Sequence, residues 1–502
     1  MTLYVIRLNI DQTEYFNALA GKRFALINKC RNILCKHAMH LLNRLGHDRQ
    51  YQAMLLSYRK AGAGTPEAKA VGEQMNDYRE SIGLSKSGLE SYVSVWQHRY
   101  KEHISSHQAQ KEAARIMAGV DKVIFGNGSC LHFRKLSQTT TICSKSKING
   151  LSFDREHMAF KWMGETFKLK PIDKNNTYMA HALYPDGTNG LPVKYCELKR
   201  MMFPNGWYYY LHVYVNGTAP QKHAIGKGKA GIDPGTSTMA ALTDHKAILR
   251  ELAPGTDSYT VRIKHTLKAM DRSRRDSNPG NFNPDGTVIK GSSTWNKSKK
   301  YKWLQRKYQS LCRQKASYVK QSHCILANEI LGQADSIIVE HMDYKGLQRR
   351  SKKTERQDKV STVTDNKGKQ QHIYKYKKKK RFSKSIGSRA PSEFLTILKQ
   401  KAAAAGGQYN EVDTRAFKAS QYDHSDGTYK KVTLGTRFKK VDGVLVQRDL
   451  YSAFLIKHSR NSLDAPNRLA CIKDFKKFVK LQNKEIKFLK ASGQSMPGCF
   501  GF

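Results

Sequence analysis

Three acidic residues lie in apolar surroundings: Asp233 in AGIDPGTSTMAALTD, Glu340 in DSIIVEHMD and Asp449 in VQRDLYSAFLI. A carboxylate in such a place loses hydration and needs compensation. Asp233 follows Gly231 and Ile232 and precedes Pro234 and Gly235, which places it where a buried strand meets a tight turn. Glu340 closes the run from Ser336, whose Ile337, Ile338 and Val339 suit a strand buried on both faces. Asp449 opens a helix with Leu450, Ala453 and Phe454 toward the core and Arg448 beside the acid. Singly, each has a plain structural reading, and for Asp449 that reading is a helix cap. Carboxylates that meet in space, however, cannot all ionise unless a cation neutralises them, and hard oxygen ligands select Mg2+ or Mn2+. Two such ions about 4 Å apart activate water and stabilise the leaving oxygen in phosphodiester hydrolysis. Asp233, Glu340 and Asp449 are therefore expected to be catalytic metal ligands for nucleic-acid cleavage.

The rest of the chain fits that substrate. Among 502 residues, 88 are Lys or Arg and 41 are Asp or Glu, for a net charge of +47. Phosphates neutralise such a surplus by releasing counterions, so nucleic acid is the expected partner. A hydrophobic fraction of 39% with 10% aromatics excludes a disordered polycation. The length excludes a single small module and predicts two to four domains. Anionic membrane is the competing partner, but no apolar run of about 18 residues occurs, and MTLYVIRLNI alternates like a strand rather than a signal peptide. The expectation is no membrane partner and a prokaryotic cytosolic or nucleoid location. Nine scattered cysteines with no C-x-x-C pair read as reduced thiols and exclude a thiolate zinc site by spacing.

The elements that must position the acids follow from periodicity. Tyr4, Ile6, Leu8 and Ile10 alternate as a strand, and Ile27, Cys30, Leu34, Ala38 and Leu41 then recur at helical spacing. From Lys122 to Gly217 the texture is β, with CLHFRKL, MAFKWMG, VKYCELKRMMF and WYYYLHVYVNG separated by turn sequences. This predicts a β-barrel over 1–15 and 117–222, a helical domain inserted over 16–116, and pairing of the first strand with the barrel. An α/β region follows over 223–457, in which Leu304, Tyr308, Leu311, Tyr318 and Ile325 mark the apolar stripe of a basic helical stretch. The string Gly226 to Gly231 satisfies G-x-G-x-x-G but leads into a strand, so it reads as a flexible hinge and not a dinucleotide site. Residues 349–390, with Arg349, Arg350 and KYKKKKR at 375–381, read as a loop or lid over the active site, with Tyr374 and Tyr376 as base-stacking candidates. Residues 458–502 form a helical tail.

The order GIDPGTSTMAALTD, IIVEHMDYKGL and QRDLYSAFLI resembles the three RuvC motifs of the TnpB family, RNA-guided transposon nucleases related to type V CRISPR effectors. ALINKCRNILCKHAMHLL, WYYYLHVYVNG and NKSKKYKWLQRKYQ extend the likeness over nearly the whole chain. The resemblance implies a multidomain α+β fold: a β-barrel (wedge) domain with an inserted helical recognition domain, followed by a RuvC/RNase H-like α/β nuclease domain. It also implies Asp233, Glu340 and Asp449 as the metal ligands, Mg2+ or Mn2+ as cofactor, and guide RNA and double-stranded target DNA as partners. A heteroduplex of roughly 20 base pairs carries about 40 phosphates, a load in keeping with the basic surplus. Two departures stand out. Where many relatives carry a zinc ribbon, at 416–448, Ser420 and Gln421 are followed by Tyr422, Asp423, His424 and later RFKKVDG, with no cysteine pair. The third motif has Tyr451 and Ser452 where relatives usually have Asn and Ala, and Gln447 where an acid is common. The expected function is RNA-guided DNA cleavage. The alternatives are a nuclease-inactive RNA-guided repressor and a guide-independent RNase H-fold nuclease.

Overall fold

A computed structural model describes residues 3–62, 64–143, 150–173, 175–184, 190–220, 223–291, 294–348, 356–364, 370–376, 382–431, 433, 435–493 and 496–502. The chain divides into two units, 1–220 and 221–502.

In the first unit, β1 (Leu3–Asn9) leads into α1 (Glu14–His47), which Thr13 caps by accepting from Phe16 N at 3.1 Å. With no proline to break it, α1 runs for 34 residues, about 50 Å at 1.5 Å per residue. α2 (Arg49–Ala61), α3 (Pro66–Ser81), α4 (Lys86–Arg99) and α5 (Ser106–Ile124) follow. Then come β2 (Thr141–Cys143), β3 (Leu151–Asp154), β4 (Ala159–Trp162), β5 (Glu165–Lys168), α6 (Thr177–Leu183), β6 (Val193–Phe203) and β7 (Gly206–Asn216). β1 pairs antiparallel with β7, from Leu3 opposite Asn216 to Asn9 opposite Tyr210. The strands form a four-stranded sheet, β1-β7-β6-β2, and a three-stranded one, β3-β4-β5. Asp11 N to Lys168 O (3.1 Å) and Lys170 N to Asn9 O (2.8 Å) carry β1 onward to β5, while β3 lies against β6. Among the described residues the ladders thus make two linked sheets and not one closed ring.

The helices that lie between β1 and the later strands share their core with those strands. One hydrophobic core joins Phe16, Phe24, Ile27, Cys30 and Leu34 of α1 to Phe160, Trp162, Phe167, Tyr209 and Leu211 of the strands. The length of α1 explains this, because its first turns reach the sheet and its later ones pack against α4 and α5. Phe16 meets Phe167 and Tyr209 at ring-centroid distances of 5.1 and 5.3 Å. Buried Arg23 completes the join by donating to Trp162 O (3.1 Å) and Glu165 (2.6 Å).

The second unit is built on β8 (Lys229–Pro234), β9 (Thr238–Leu242), β10 (Ala247–Glu251), α7 (Thr256–Asp276), α8 (Lys299–Leu331), β11 (Ser336–Glu340) and α9 (Tyr344–Gln348). A hairpin of β12 (Arg356–Thr364) and β13 (Gln370–Tyr376) precedes α10 (Ser383–Arg389), α11 (Pro391–Ala404), β14 (Gln408–Val412) and α12 (Thr414–Phe417). β15 (Phe438–Val441), β16 (Val444–Gln447), α13 (Arg448–Lys457) and α14 (Arg468–Ala491) complete it. Five strands make one sheet in the order β10-β9-β8-β11-β14. β8, β9 and β10 are antiparallel neighbours, whereas β11 is parallel to both β8 and β14. Because strand side chains alternate, the sheet feeds two cores. Ile232, Ile337 and Val339 pack with Ile330 and Leu331 of α8 and Phe394 and Leu398 of α11. On the other face Ala240, Leu249 and Ile338 pack with Leu450 and Phe454 of α13 and Phe475 and Phe478 of α14.

Several expectations change here. The glycine string is no hinge: Gly226 N donates to Leu331 O (2.8 Å) and Gly228 N to Asp335 Oδ1 (3.1 Å), tying it to the end of α8. Ile325 leaves the apolar stripe at 61% exposure, and Leu326, Ala327 and Ile330 turn inward instead. Of the proposed lid, 382–390 is not loop but α10 and its flanks, because Arg389 is buried and donates to Ala253 O, Pro254 O, Glu251 and Asp257. Arg349, Arg350, residues 377–381 and the side chains of Tyr374 and Tyr376 lie outside the described residues. α14, in the C-terminal helical tail, packs on β10, β16 and α13. Among the described residues no helix is long and apolar enough to cross a membrane.

Candidate active site

Register brings the first two acids together. Gly231 is opposite Ile338 and Ile232 is opposite Val339 in the parallel β8–β11 pair. Asp233 and Glu340 come next, at the carboxyl ends of neighbouring strands. Alternation turns both toward the face that carries Gly231 and Ile338, the face covered by α13. The third acid depends on how closely α13 approaches. A Cβ on Gly231 would stand 2.2 Å from Ala453 O and 2.2 Å from Lys457 N. Only glycine lets the helix backbone lie against the strand there, and that contact brings Asp449, in the first turn of α13, to the strand acids.

The helix cap is a different residue. Gln447 Oε1 accepts from Leu450 N at 2.7 Å, while Gln447 N donates to Gln482 Oε1 of α14 at 2.8 Å. Asp449 is thereby free of the capping role that its position first suggests. Its Oδ1 instead accepts from Arg448 Nη2 (3.0 Å) and Nε (3.1 Å), and Arg448 Nη1 reaches Thr436 O at 3.2 Å.

Among the described residues the site is short of positive charge. Burial pushes the Asp233 carboxyl well above the usual range, the charges of Glu340 and Asp449 push it further, and Arg448 pulls only partly back. Burial also raises Glu340 to about 7, against a hydrogen bond from Asp233 that favours its charged form. The two strand acids form a hydrogen-bonded pair whose burial and mutual charge favour the protonated form. Among the described residues no group of three or more His, Cys, Asp or Glu side chains stands assembled around a metal position. The oxygen donors suit Mg2+ or Mn2+, but Asp233 and Glu340 hold each other and Arg448 holds Asp449. A cation would have to displace a proton from the acid pair and compete with that guanidinium.

The segment from 420 to 447 is stitched by side chains. Tyr451, buried on α13, accepts from His424 N at 3.1 Å and shares a 2.8 Å hydrogen bond with His424 Nδ1. Burial lowers the His424 pKa, which keeps its ring neutral and able to accept. Arg468 of α14 donates to His424 O (3.0 Å) and Ser425 O (2.7 Å), and Lys439 donates to Tyr422 O (3.0 Å). Asp423 and Asp426 close the turns by accepting from Ser425 N and Thr428 N. Tyr451 therefore anchors the segment at 420–430.

Sequence reasoning brought out Asp233, Glu340 and Asp449, named Gly231 and Gln447 without the contacts they make with α13 and α14, and missed Gln482. The G-x-G-x-x-G string was the available signal for Gly231, since a glycine inside an apolar strand marks close backbone approach. No protein-family model matches the chain, and no curated protein matches it. Among solved structures it is similar to a Cas12f1–sgRNA–target DNA complex, at 11% identity and a TM-score of 0.44, over 90% of this chain and 98% of that one. A CRISPR–Cas12f ternary complex is similar at 12% identity and a TM-score of 0.27, with the same coverage. A Cas12i1 R-loop complex before target DNA cleavage is similar at 11% identity and a TM-score of 0.23, over 82% of this chain and 56% of that one.

Proposed function

We propose that this chain is an RNA-guided DNA endonuclease that hydrolyses phosphodiesters at Asp233, Glu340 and Asp449 with Mg2+ or Mn2+. The observation that carries the reading is the convergence of two strand acids and one helix acid on a single face, with Arg448 the cation that acts on Asp233 among the described residues. A purely structural site of this kind would be expected to hold a full complement of bases. The strand order and the motif order around the acids support a RuvC/RNase H-like unit, and the +47 charge supports a long nucleic-acid partner. Asp233, Glu340 and Asp449 would hold the metal, which supplies Lewis-acid polarisation and an activated water when bound. The chain's own part is to give up the proton shared by Asp233 and Glu340, to aim Asp449 through the Gln447 cap, and to keep water from the apolar side of the site. Guide RNA and target DNA are the proposed partners.

Purified protein with its copurifying RNA should cut a matched plasmid in Mg2+. Asp233→Ala should abolish cutting, and so should RNase treatment before assay. Cutting that survives RNase would identify a guide-independent nuclease. One observation favours a second reading, a nuclease-inactive RNA-guided binder: Arg448 already neutralises Asp449. Target binding without cleavage in either Mg2+ or Mn2+ would establish that reading.

A further inference from the structure

The turn that presents Asp233 is held by hydroxyls from outside its own hairpin. Gly235 N donates to Thr238 O at 2.8 Å and closes the β8–β9 turn. The turn has little slack, since a Cβ on Gly235 would stand 2.9 Å from Thr238 O. Its next two carbonyls are each taken by a side chain: Tyr344 Oη donates to Gly235 O at 3.1 Å, and Ser385 Oγ donates to Thr236 O at 3.2 Å. Tyr344 opens α9 just after Glu340 and is 7% exposed. Ser385 lies in α10, which packs against α9 and is itself anchored by Arg389. The two hydroxyls thus come from contacting helices that follow different parts of the chain.

Tyr344 also feels the acids directly. Burial raises its phenol pKa, and the charges of Asp233 and Glu340 raise it further, so the hydroxyl stays protonated and remains a donor. A mobile turn would let two like carboxylates move apart. A turn fixed at both carbonyls keeps Asp233 facing Glu340.

We propose that Tyr344 and Ser385 are positioning residues that clamp the Asp233 turn from α9 and α10 and so set the separation of the two strand acids. Its consequence for cleavage rests on the nuclease reading; the clamp itself does not. Tyr344→Phe and Ser385→Ala each remove one oxygen, and Ser385→Thr restores the hydroxyl. In the full chain, hydrogen exchange of the peptide spanning 233–240 should quicken about fivefold in each single variant and more in the double, as expected for loss of one hydrogen bond per carbonyl. Peptides from the first unit should not change. Mn2+ affinity, read by titration calorimetry, should weaken about tenfold in the double variant, and Ser385→Thr should behave as wild type. If the wild-type complex cuts, the double variant should lose single-turnover rate without losing DNA affinity. Unchanged exchange at 233–240 in the double variant overturns the clamp even if the enzyme cuts. A wild-type protein that never cuts overturns the nuclease reading, and the exchange data still decide the clamp.

Discussion

The same five-stranded sheet buries carboxylates at two places, and they are treated in opposite ways. At the β10 edge, Glu485 of α14 is 5% exposed and accepts from Leu249 N (3.1 Å) and from the Arg250 guanidinium. It covers an edge amide that would otherwise be open to another strand, and every demand of its charge is met locally. At the carboxyl ends of β8 and β11, Asp233 and Glu340 have each other and a guanidinium committed mainly to Asp449. Burial of an acid is thus no sign of function in this protein. The informative difference is that, among the described residues, no ion pair is made to Asp233 or Glu340, whereas Glu485 has Arg250.

That contrast can be broken most severely at Asp233. Asp233→Asn removes a like-charge burden, so it should abolish cleavage by roughly a thousandfold or more and at the same time raise the thermal unfolding midpoint of the metal-free chain. A drop in that midpoint would place Asp233 in the same class as Glu485. Glu485→Gln should do the reverse, costing about 2 kcal/mol in urea unfolding and leaving the cleavage rate constant of the folded fraction unchanged. Next in size is a pH effect. The Glu340 pKa is raised on folding, so its contribution to stability is full below the unfolded carboxylate range and is lost as pH rises through about 7. Metal-free protein should therefore lose melting temperature between about pH 4.5 and 7, Asp233→Asn should flatten that loss, and Mg2+ should reverse it at pH 7. The smallest expected effect is at Gln447. Gln447→Ala should cost about 1 kcal/mol of stability, and because it frees the start of α13 it should lower cleavage more than Glu485→Gln does.

What could be read from the sequence follows the range of each interaction. Asp233, Glu340 and Asp449 were legible because each is marked by its immediate neighbours: a Gly-Ile before a Pro-Gly, a β-branched run, a polar residue ahead of an apolar helix. The strand register that joins the first two is also local in its logic, since one apolar run fixes which residues face which side. Gln447 was noted only as a departure, because its partner Gln482 stands on α14 and no local pattern connects them. Glu485 was invisible for the same reason, with Leu249 in a distant strand. The helix at 382–390 was not legible because a basic composition suggested solvent, whereas Arg389 is buried on carbonyls and acids that only tertiary structure supplies. The core that the helices share with the strands was not legible because α1 is long enough to serve two surfaces, and periodicity reports a buried stripe without saying what covers it.

Gly231 has a consequence for how relatives of this chain should be read. The spacing between a strand acid and a helix acid is set here by an atom that is absent, since a single methyl group at this position would collide with the backbone of α13. A homologue could keep all three acids and still bear alanine at this place. It would look like a nuclease in any motif search while its helix acid stood displaced from the strand pair. Sorting cutters from binders among such sequences should therefore weigh the glycine two residues before the first aspartate as heavily as the acids themselves.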